Sequence, residues 1–488
     1  MLNTLVHEYS VHEGLQWAVL NATVVYRCFQ ILENIKVMLV HNKGQSKNRS
    51  RCKQSNQQKL CGIFLFVEGC SQKDRLSDSN IHEVPALGHF MQRPARSRLA
   101  HHWSLDENCV FLNHGSFGAT PVEIQKEQRT WQQKLEHEPV SFYEDEAMGF
   151  METVRSALAG FVNCDPDDLA LVENATTGVN TILRSLKFNE GDEILVPDHA
   201  YQACRNAIDF VAERWGAVVV TVNIPFPIDE PNEVIDLVMA GVSERTVLAM
   251  IDTVTSPTGL LMPFERLVGL LEGKGISVLL DAAHGIGMVP LDLDEMGASY
   301  TTSNCHKWLC APKGSAFLHV RKDHQKKIHP LTISHGMTFP LGDTTRFRHE
   351  FDWTGTRDIS AWCSIPATIE YMAEMIDGGW PAIMQHNHDL AMKGRAILCD
   401  RLGLEAPCPE SMIACIATMM LPPAEHGGAP LHEPDPLHSV LQEKYGIQVP
   451  VWSWESPKGR YFRISAQLYN HVDEYHYLAE ALATELGL

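Results

Sequence analysis

A chain of 488 residues outgrows one hydrophobic core, and 44% hydrophobic with 20% charged residues is an ordinary soluble globular composition, so two domains plus an extension are expected. A formal net charge of −20 sets it against nucleic acid or anionic membrane as main partner. Thirteen scattered cysteines do not form the dense framework of a small secreted domain and read as reduced thiols of a cytoplasmic protein; no apolar run reaches the roughly 18–20 residues of a membrane span.

Residues 1–95 differ from the rest and read as an N-terminal extension. Leu15 to Val40 is apolar but broken by Arg27, Glu33 and Lys36, and Glu8 and Glu13 stand where a signal peptide wants positive charge. Lys43 to Lys59 is polar and basic, the composition of a disordered segment. Cys52, Cys61 and Cys70 are evenly spaced, but no CxxC pair or His partner accompanies them, so no metal is expected. A start codon placed too early would also account for the segment, with Met91 as the true first residue.

Cys109 to Leu112 is a short apolar strand running into the glycine-rich loop Asn113-His114-Gly115-Ser116-Phe117-Gly118. Thr120-Pro121 reads as a helix start, with Thr as N-cap and Pro in the first turn. A long amphipathic helix follows, and Met151 to Phe161 is a second. Apolar β-rich runs then recur at 169–172, 193–197, 218–224, 247–254, 277–283, 300–303 and 315–321. Helical stretches at 178–186, 202–215, 233–242 and 264–271 separate most of them. This alternation means βαβ units and a largely parallel sheet covered on both faces, an α/β domain over 96–361. Ligands of such sheets sit at the carboxyl ends of the strands. From Trp362 the pattern turns helical, with a Gly378-Gly379-Trp380-Pro381 turn and a Pro/Gly/His-rich loop over 422–436. Runs at 413–420, 446–452 and 460–465 read as strands before a closing helix at 472–486, a small α+β domain over 362–488.

The chemistry gathers at the strand ends. Val278-Leu279-Leu280-Asp281-Ala282-Ala283-His284 is an apolar strand ending in Asp, small residues and His, and Thr302-Ser303-Asn304-Cys305-His306-Lys307-Trp308 follows one supersecondary unit later. A carboxylate to protonate a pyridine nitrogen and a Lys amine to form a Schiff base suit pyridoxal 5'-phosphate. Glu173-Asn174-Ala175-Thr176-Thr177-Gly178 joins a strand to a helix, and its N–H groups and hydroxyls would cradle the phosphate, with Ser303 and His306 as further donors. Tyr201 offers a ring to stack on the pyridine. Arg463 stands alone in the apolar run Tyr461-Phe462-Arg463-Ile464-Ser465, where a buried cation needs a partner.

The order of Asn113 to Gly118, Ala175 to Gly178, Asp281 to His284, His306-Lys307-Trp308 and Gly355-Thr356-Arg357-Asp358 resembles the class V aminotransferase family of fold-type I pyridoxal phosphate enzymes, and within it the isopenicillin N epimerase branch. The resemblance runs from about His101 to the C-terminus. It implies a mainly parallel seven-stranded sheet in a large domain, a small C-terminal domain and a homodimer. It makes Lys307 the Schiff-base lysine and Asp281 the pyridinium partner, and sets His284 at the cofactor's phenolic oxygen. It places Thr176, Thr177, Ser303 and His306 at the phosphate, and Thr356 at the phosphate of the other subunit. Arg463 becomes the bidentate binder of the substrate's α-carboxylate, with a structural ion pair as the other reading and Arg357 as its competitor. Ser256 falls beside the cofactor, where desulfurases carry Asn, and Asn113 and His114 fall beside the substrate.

The outcome at the α-carbon stays open. Lys307 would be anchor and general base. Epimerisation is the outcome the branch favours; loss of a β-sulfur, as in a C–S lyase or cysteine desulfhydrase, and transamination are the alternatives. Desulfurases use a loop Cys as sulfur acceptor, whereas Cys363, in Ser360-Ala361-Trp362-Cys363, reads as packed at a helix start. A non-catalytic binding protein on this fold would more typically have lost Lys307 or Asp281. Gly285-Ile286-Gly287 lacks the third glycine of a dinucleotide-binding turn, and neither G-x-S-x-G nor H-E-x-x-H occurs.

Overall fold

The computed structural model describes residues 92–423, 435–455 and 458–488. The readings made for residues 1–91, including Cys52, Cys61 and Cys70, and for most of the loop at 422–436 lie outside the described residues.

Strand β1 (Val110–Phe111) leads through a one-turn helix, α1 (His114–Phe117), to α2 (Val122–His137) and α3 (Ala147–Val162). Thr120 does not cap α2. Pro121 keeps extended ψ and takes the N-cap position, while the Thr120 hydroxyl donates to Ala311 O at 3.1 Å and ties this loop to the segment behind Lys307.

The alternation then appears as β2 (Leu169–Val172), α4 (Ala175–Ser185), β3 (Glu193–Pro197), α5 (Gln202–Trp215), β4 (Val218–Val222), α6 (Pro231–Ala240), β5 (Thr246–Asp252), α7 (Phe264–Glu272), β6 (Ser277–Asp281), β7 (Tyr300–Asn304) and β8 (Ala316–Val320). These strands form one seven-stranded sheet in the order β2-β8-β7-β6-β5-β3-β4. Only β8 runs against the others, between β2 and β7. No helix intervenes between β7 and β8, and a connection without a crossover returns antiparallel. Strands β3, β7 and β8 are buried along their whole length, whereas the edge strand β4 exposes Val218. Strand β7 is buried although Thr301, Thr302 and Ser303 are polar, because helix α4 packs over it. A Cβ on Gly178 of α4 would stand 2.2 Å from Thr302 Oγ1, so only glycine allows that approach.

The C-terminal part contains α8 (Ile365–Ala373), α9 (Gly379–Leu402), β9 (Ile416–Leu421), α10 (Pro436–Tyr445), β10 (Ile447–Gln448), β11 (Val451–Glu455), β12 (Lys458–Ser465) and α11 (Val472–Leu486). Strands β11-β12-β9 form an antiparallel sheet, and β10 pairs in parallel with β1. The single strand expected over 446–452 is therefore two, separated at Val449-Pro450, where proline has no N–H to give a ladder. The glycine turn before α9 is present at Gly378 and Gly379, both with positive φ, but Pro381 sits inside the first turn of the helix.

Candidate active site

Parallel register sets Asp281, the last residue of β6, beside Asp252 on β5 and Thr302 on β7. Asp252, Asp281 and Lys307 line a cavity of about 280 Å³ at the carboxyl ends of the strands. Asp281 Oδ1 accepts from the Ala283 N–H at 3.0 Å, and Oδ2 accepts from the Cys204 thiol on α5 at 3.3 Å. Burial lifts the Asp281 carboxyl above its usual range, and burial next to Asp281 lifts Asp252 well above its own. The Lys307 ammonium is pushed down to about 8 by burial, helped by Arg463 and opposed by Asp281. Its Nζ lies 3.1 Å from His284 Nε2.

The other end of the cavity is the N-terminus of α4. Asn174 caps the helix by accepting from the Thr177 N–H at 2.8 Å, and Ala175 N–H donates to Asn304 Oδ1 at 2.8 Å. That bond leaves the Asn304 amide N–H₂ as a donor beside Thr176, and both residues line the cavity. His306 lines it too. Its Nδ1–H donates to Ser315 O at 3.1 Å, and burial lowers the ring to about 4, while an anion held against Nε2 would act in the opposite direction.

Arg463 enters from β12 and is buried. It donates to Ser256 O and to Ser116 Oγ, and its Nε has no partner. Burial lowers it to about 10. No carboxylate among the described residues forms an ion pair with it, so the structural ion-pair reading finds no acid to work with. Arg357, its competitor, is paired with Glu173 and lies over Trp362 at 4.9 Å, away from the cavity.

Tyr201, Ser256 and His284 also line the cavity. Five other expected site residues do not. Thr177 lends only its backbone to the Asn174 cap. Ser303 donates to Ala282 O and accepts from Ile286 N–H, bracing the chain after β6. Neighbours along a strand face opposite sides, so Asn304 takes the place expected of Ser303. Asn113 accepts from Ser116 Oγ at 2.7 Å and shapes the loop. His114 is turned inward by α1; its Nε2 donates to Lys307 O at 2.9 Å and its Nδ1 meets the Tyr469 hydroxyl at 2.8 Å, so it pins the lysine's backbone. Thr356 is exposed and lies outside this chain's cavity. Asp252, Asn174, Asn304, Ser116 and Cys204 were missed. Strand period would have favoured Asn304, the position in line with Thr302, and nothing local marks Cys204. No cysteine lines the cavity among the described residues; Cys363 is buried, its thiol pushed up to about 12 by burial.

The donor set fits a pyridoxal phosphate on two observations. Asp252 Oδ2 and Arg463 Nε are buried polar atoms without partners on two residues that line the cavity, an arrangement stable proteins rarely leave uncompensated. The acid pair, the depressed lysine and the helix N-terminus all border the one cavity, and they are the groups that a basic ring nitrogen, an aldehyde and a phosphate require. Asp281 would hold the ring nitrogen, Lys307 the aldehyde carbon, and Thr176, Asn304 and His306 the phosphate.

A family model described as aminotransferase class-V matches residues 122–422. A probable chloroplastic L-cysteine desulfhydrase of Arabidopsis thaliana is 32% identical over 435 residues, covering 83% of this chain and 89% of its own. Isopenicillin N epimerase of Streptomyces clavuligerus is 30% identical over 395 residues, 78% of this chain and 96% of its own. Among solved structures, a cystine C-S lyase in complex with cysteine persulfide aligns with a TM-score of 0.65 at 19% identity, over 77% of this chain and 98% of that one. A cysteine desulfurase from Thermococcus onnurineus aligns at 0.67 and 17% identity, over 81% and 99%.

Proposed function

The chain belongs to the class V aminotransferase family, whose cofactor is pyridoxal 5'-phosphate, and from that premise we propose that it expels a β-sulfur from a small cysteine-like amino acid. When bound, the cofactor supplies an electron sink for negative charge at the α-carbon. Asp281, held by the Ala283 N–H and the Cys204 thiol, would keep a proton on the ring nitrogen of the bound cofactor. Arg463 fixes the substrate carboxylate with a fork that Ser256 O and Ser116 Oγ already orient. Lys307 removes the α-proton once its amine is free, the C–S bond breaks, and the sulfur leaves with a proton. For cysteine and water the net products are pyruvate, ammonia and hydrogen sulfide.

The observation that carries this reading is the cavity wall itself. Lys307 is the single amine on it and no thiol is present among the described residues, so sulfur has no enzyme acceptor. The cavity also sits near the lower end of small-molecule sites, roughly 300–1,000 Å³, which suits cofactor plus a small amino acid. Desulfhydrase relatives at 32% and 30% identity support the same choice. Epimerisation remains the second reading, on the strength of the epimerase relatives at 30%. Purified protein given a panel of amino acids should release sulfide and pyruvate from L-cysteine. Inverted α-carbons without sulfide, in that same panel, would install the epimerase reading instead. We further propose a homodimer in which Thr356 serves the partner's phosphate; its exposure, and the exposed apolar side chains Leu331, Ile333, Met337, Phe339 and Leu341, support that arrangement.

A further inference from the structure

Lys307 is followed by Trp308, one of the most deeply buried side chains in the protein. Its position is fixed on two sides. The His114 ring lies 4.9 Å away, and Gly287, at φ +78°, presses so close that a Cβ there would stand 2.7 Å from the Trp308 carbonyl. The indole Nε1–H donates to His284 Nδ1 at 3.1 Å. Indole nitrogen is a donor only, so His284 Nδ1 must be the acceptor. A neutral imidazole then carries its one proton on Nε2, and Nε2 is the atom 3.1 Å from Lys307 Nζ. A second ring proton on Nδ1 would meet the indole N–H head-on.

We propose that Trp308 is a positioning residue of the active site: its indole N–H locks His284 as the Nε2–H tautomer, so the imidazole always presents a donor toward Lys307 Nζ. That polarity makes sense of two acceptors. One is the neutral Lys307 amine. The other is the cofactor's phenolic oxygen, which the family resemblance sets beside His284 and which is an acceptor when ionised. With the opposite tautomer the ring would turn a lone pair toward both. The charged and titratable groups around His284 agree. Lys307 and His306 after β7, Arg463 on β12 and His114 on α1 all oppose its protonation, and burial opposes it most, holding it well below the usual imidazole range. The acids Asp281 and Asp252 bear on Lys307 instead. The inference rests on the cofactor and Lys307, not on the choice of sulfur elimination.

Trp308→Phe keeps the ring and removes the donor. In the cofactor-loaded full-length protein, the pH midpoint of the visible absorption band should move by about half a pH unit, the worth of one net hydrogen bond. Turnover should fall about 3–10-fold with KM little changed. The same substitution made on top of His284→Leu should no longer move the midpoint, because no ring nitrogen or amide is left for the indole to orient. A Trp308→Phe band that titrates as in the parent overturns the proposal, as does an equal displacement in both backgrounds, which would mark a merely structural role. If Trp308→Phe fails to fold, His284→Gln and His284→Leu decide the matter. Gln can accept from the indole and still donate, so it should titrate near the parent while Leu does not; identical titrations overturn the proposal. A parent protein without any visible band would sink the cofactor assignment itself, a different result from either.

Discussion

A lysine gives up its proton near neutrality only where its surroundings make charge expensive, and Lys307 meets that condition through burial and Arg463. At pH 7.5 an ordinary lysine is about one part in a thousand neutral, whereas one held to about 8 is about a quarter neutral. The sign follows: whenever its amine is free, Lys307 works as a base above its lowered value, so turnover should climb as pH rises through about 8. Lys307→Ala should leave no cofactor fixed by borohydride, read as an unchanged protein mass after reduction, with turnover down about a thousandfold or more. Arg463→Ala should keep its bound cofactor but raise KM for amino acids about 10–100-fold, since a buried fork that meets a carboxylate twice has no substitute nearby. An unaltered KM would move that role elsewhere. His284, Trp308 and His114 add a further layer that no single residue reveals: each fixes the next through one hydrogen bond or ring contact.

Elements deliver these residues, and their ends carry the risk. Gly118 closes α1 at φ +68°, and a Cβ there would stand 2.1 Å from His306 O and 2.9 Å from Lys307 Cα. Gly118→Ala should therefore lower the melting temperature and cofactor retention together, because the backbone that must yield is the one holding the lysine. Gly160, exposed on α3 with open space around its Cβ position, is the contrast; its replacement by Ala should stabilise by about 0.5–1 kcal/mol. At the start of α11, Glu474 completes a capping box with His471, yet burial raises its carboxyl to about 7. A carboxyl raised in the folded state favours folding at low pH and loses that contribution as pH rises from its unfolded value through about 7. Glu474→Gln should thus gain on the parent protein between pH 5 and 8, by at most about 3 kcal/mol, in thermal melts across that range. A gap that stays constant with pH would show that the capping bonds keep the carboxylate ionised.

At the scale of the whole molecule, the site draws on two of the sheets: the acids, the lysine and the helix N-terminus come from the seven-stranded sheet or the segments that follow its strands, Arg463 from the three-stranded one. Strand β1, paired with β10, anchors the loop that carries Ser116 into the same cavity. Exposed apolar side chains between Leu331 and Leu341 and the exposed Thr356 are the features a second copy would use. Sedimentation should find two chains per particle, and Thr356→Ala should weaken cofactor retention while leaving the melting temperature of the loaded dimer nearly intact. An active monomer would remove Thr356 from the site.

Local pattern was enough for the strands and helices of residues 169–321, because buried strands and amphipathic helices write their periods into neighbouring residues. It also singled out Asp281 and Lys307, two residues at separate strand ends that the fold brings to one cavity. What the sequence could not decide is which neighbours share a face or a partner across the fold. Asn304 rather than Ser303 faces the cavity because α4 packs on one side of β7; Arg357 is spoken for because Glu173 lies within reach; Asp252 and Cys204 meet Asp281 only through the order of strands in the sheet. Those pairings join residues far apart along the chain, and their register is set by packing between elements, which no short stretch of residues encodes.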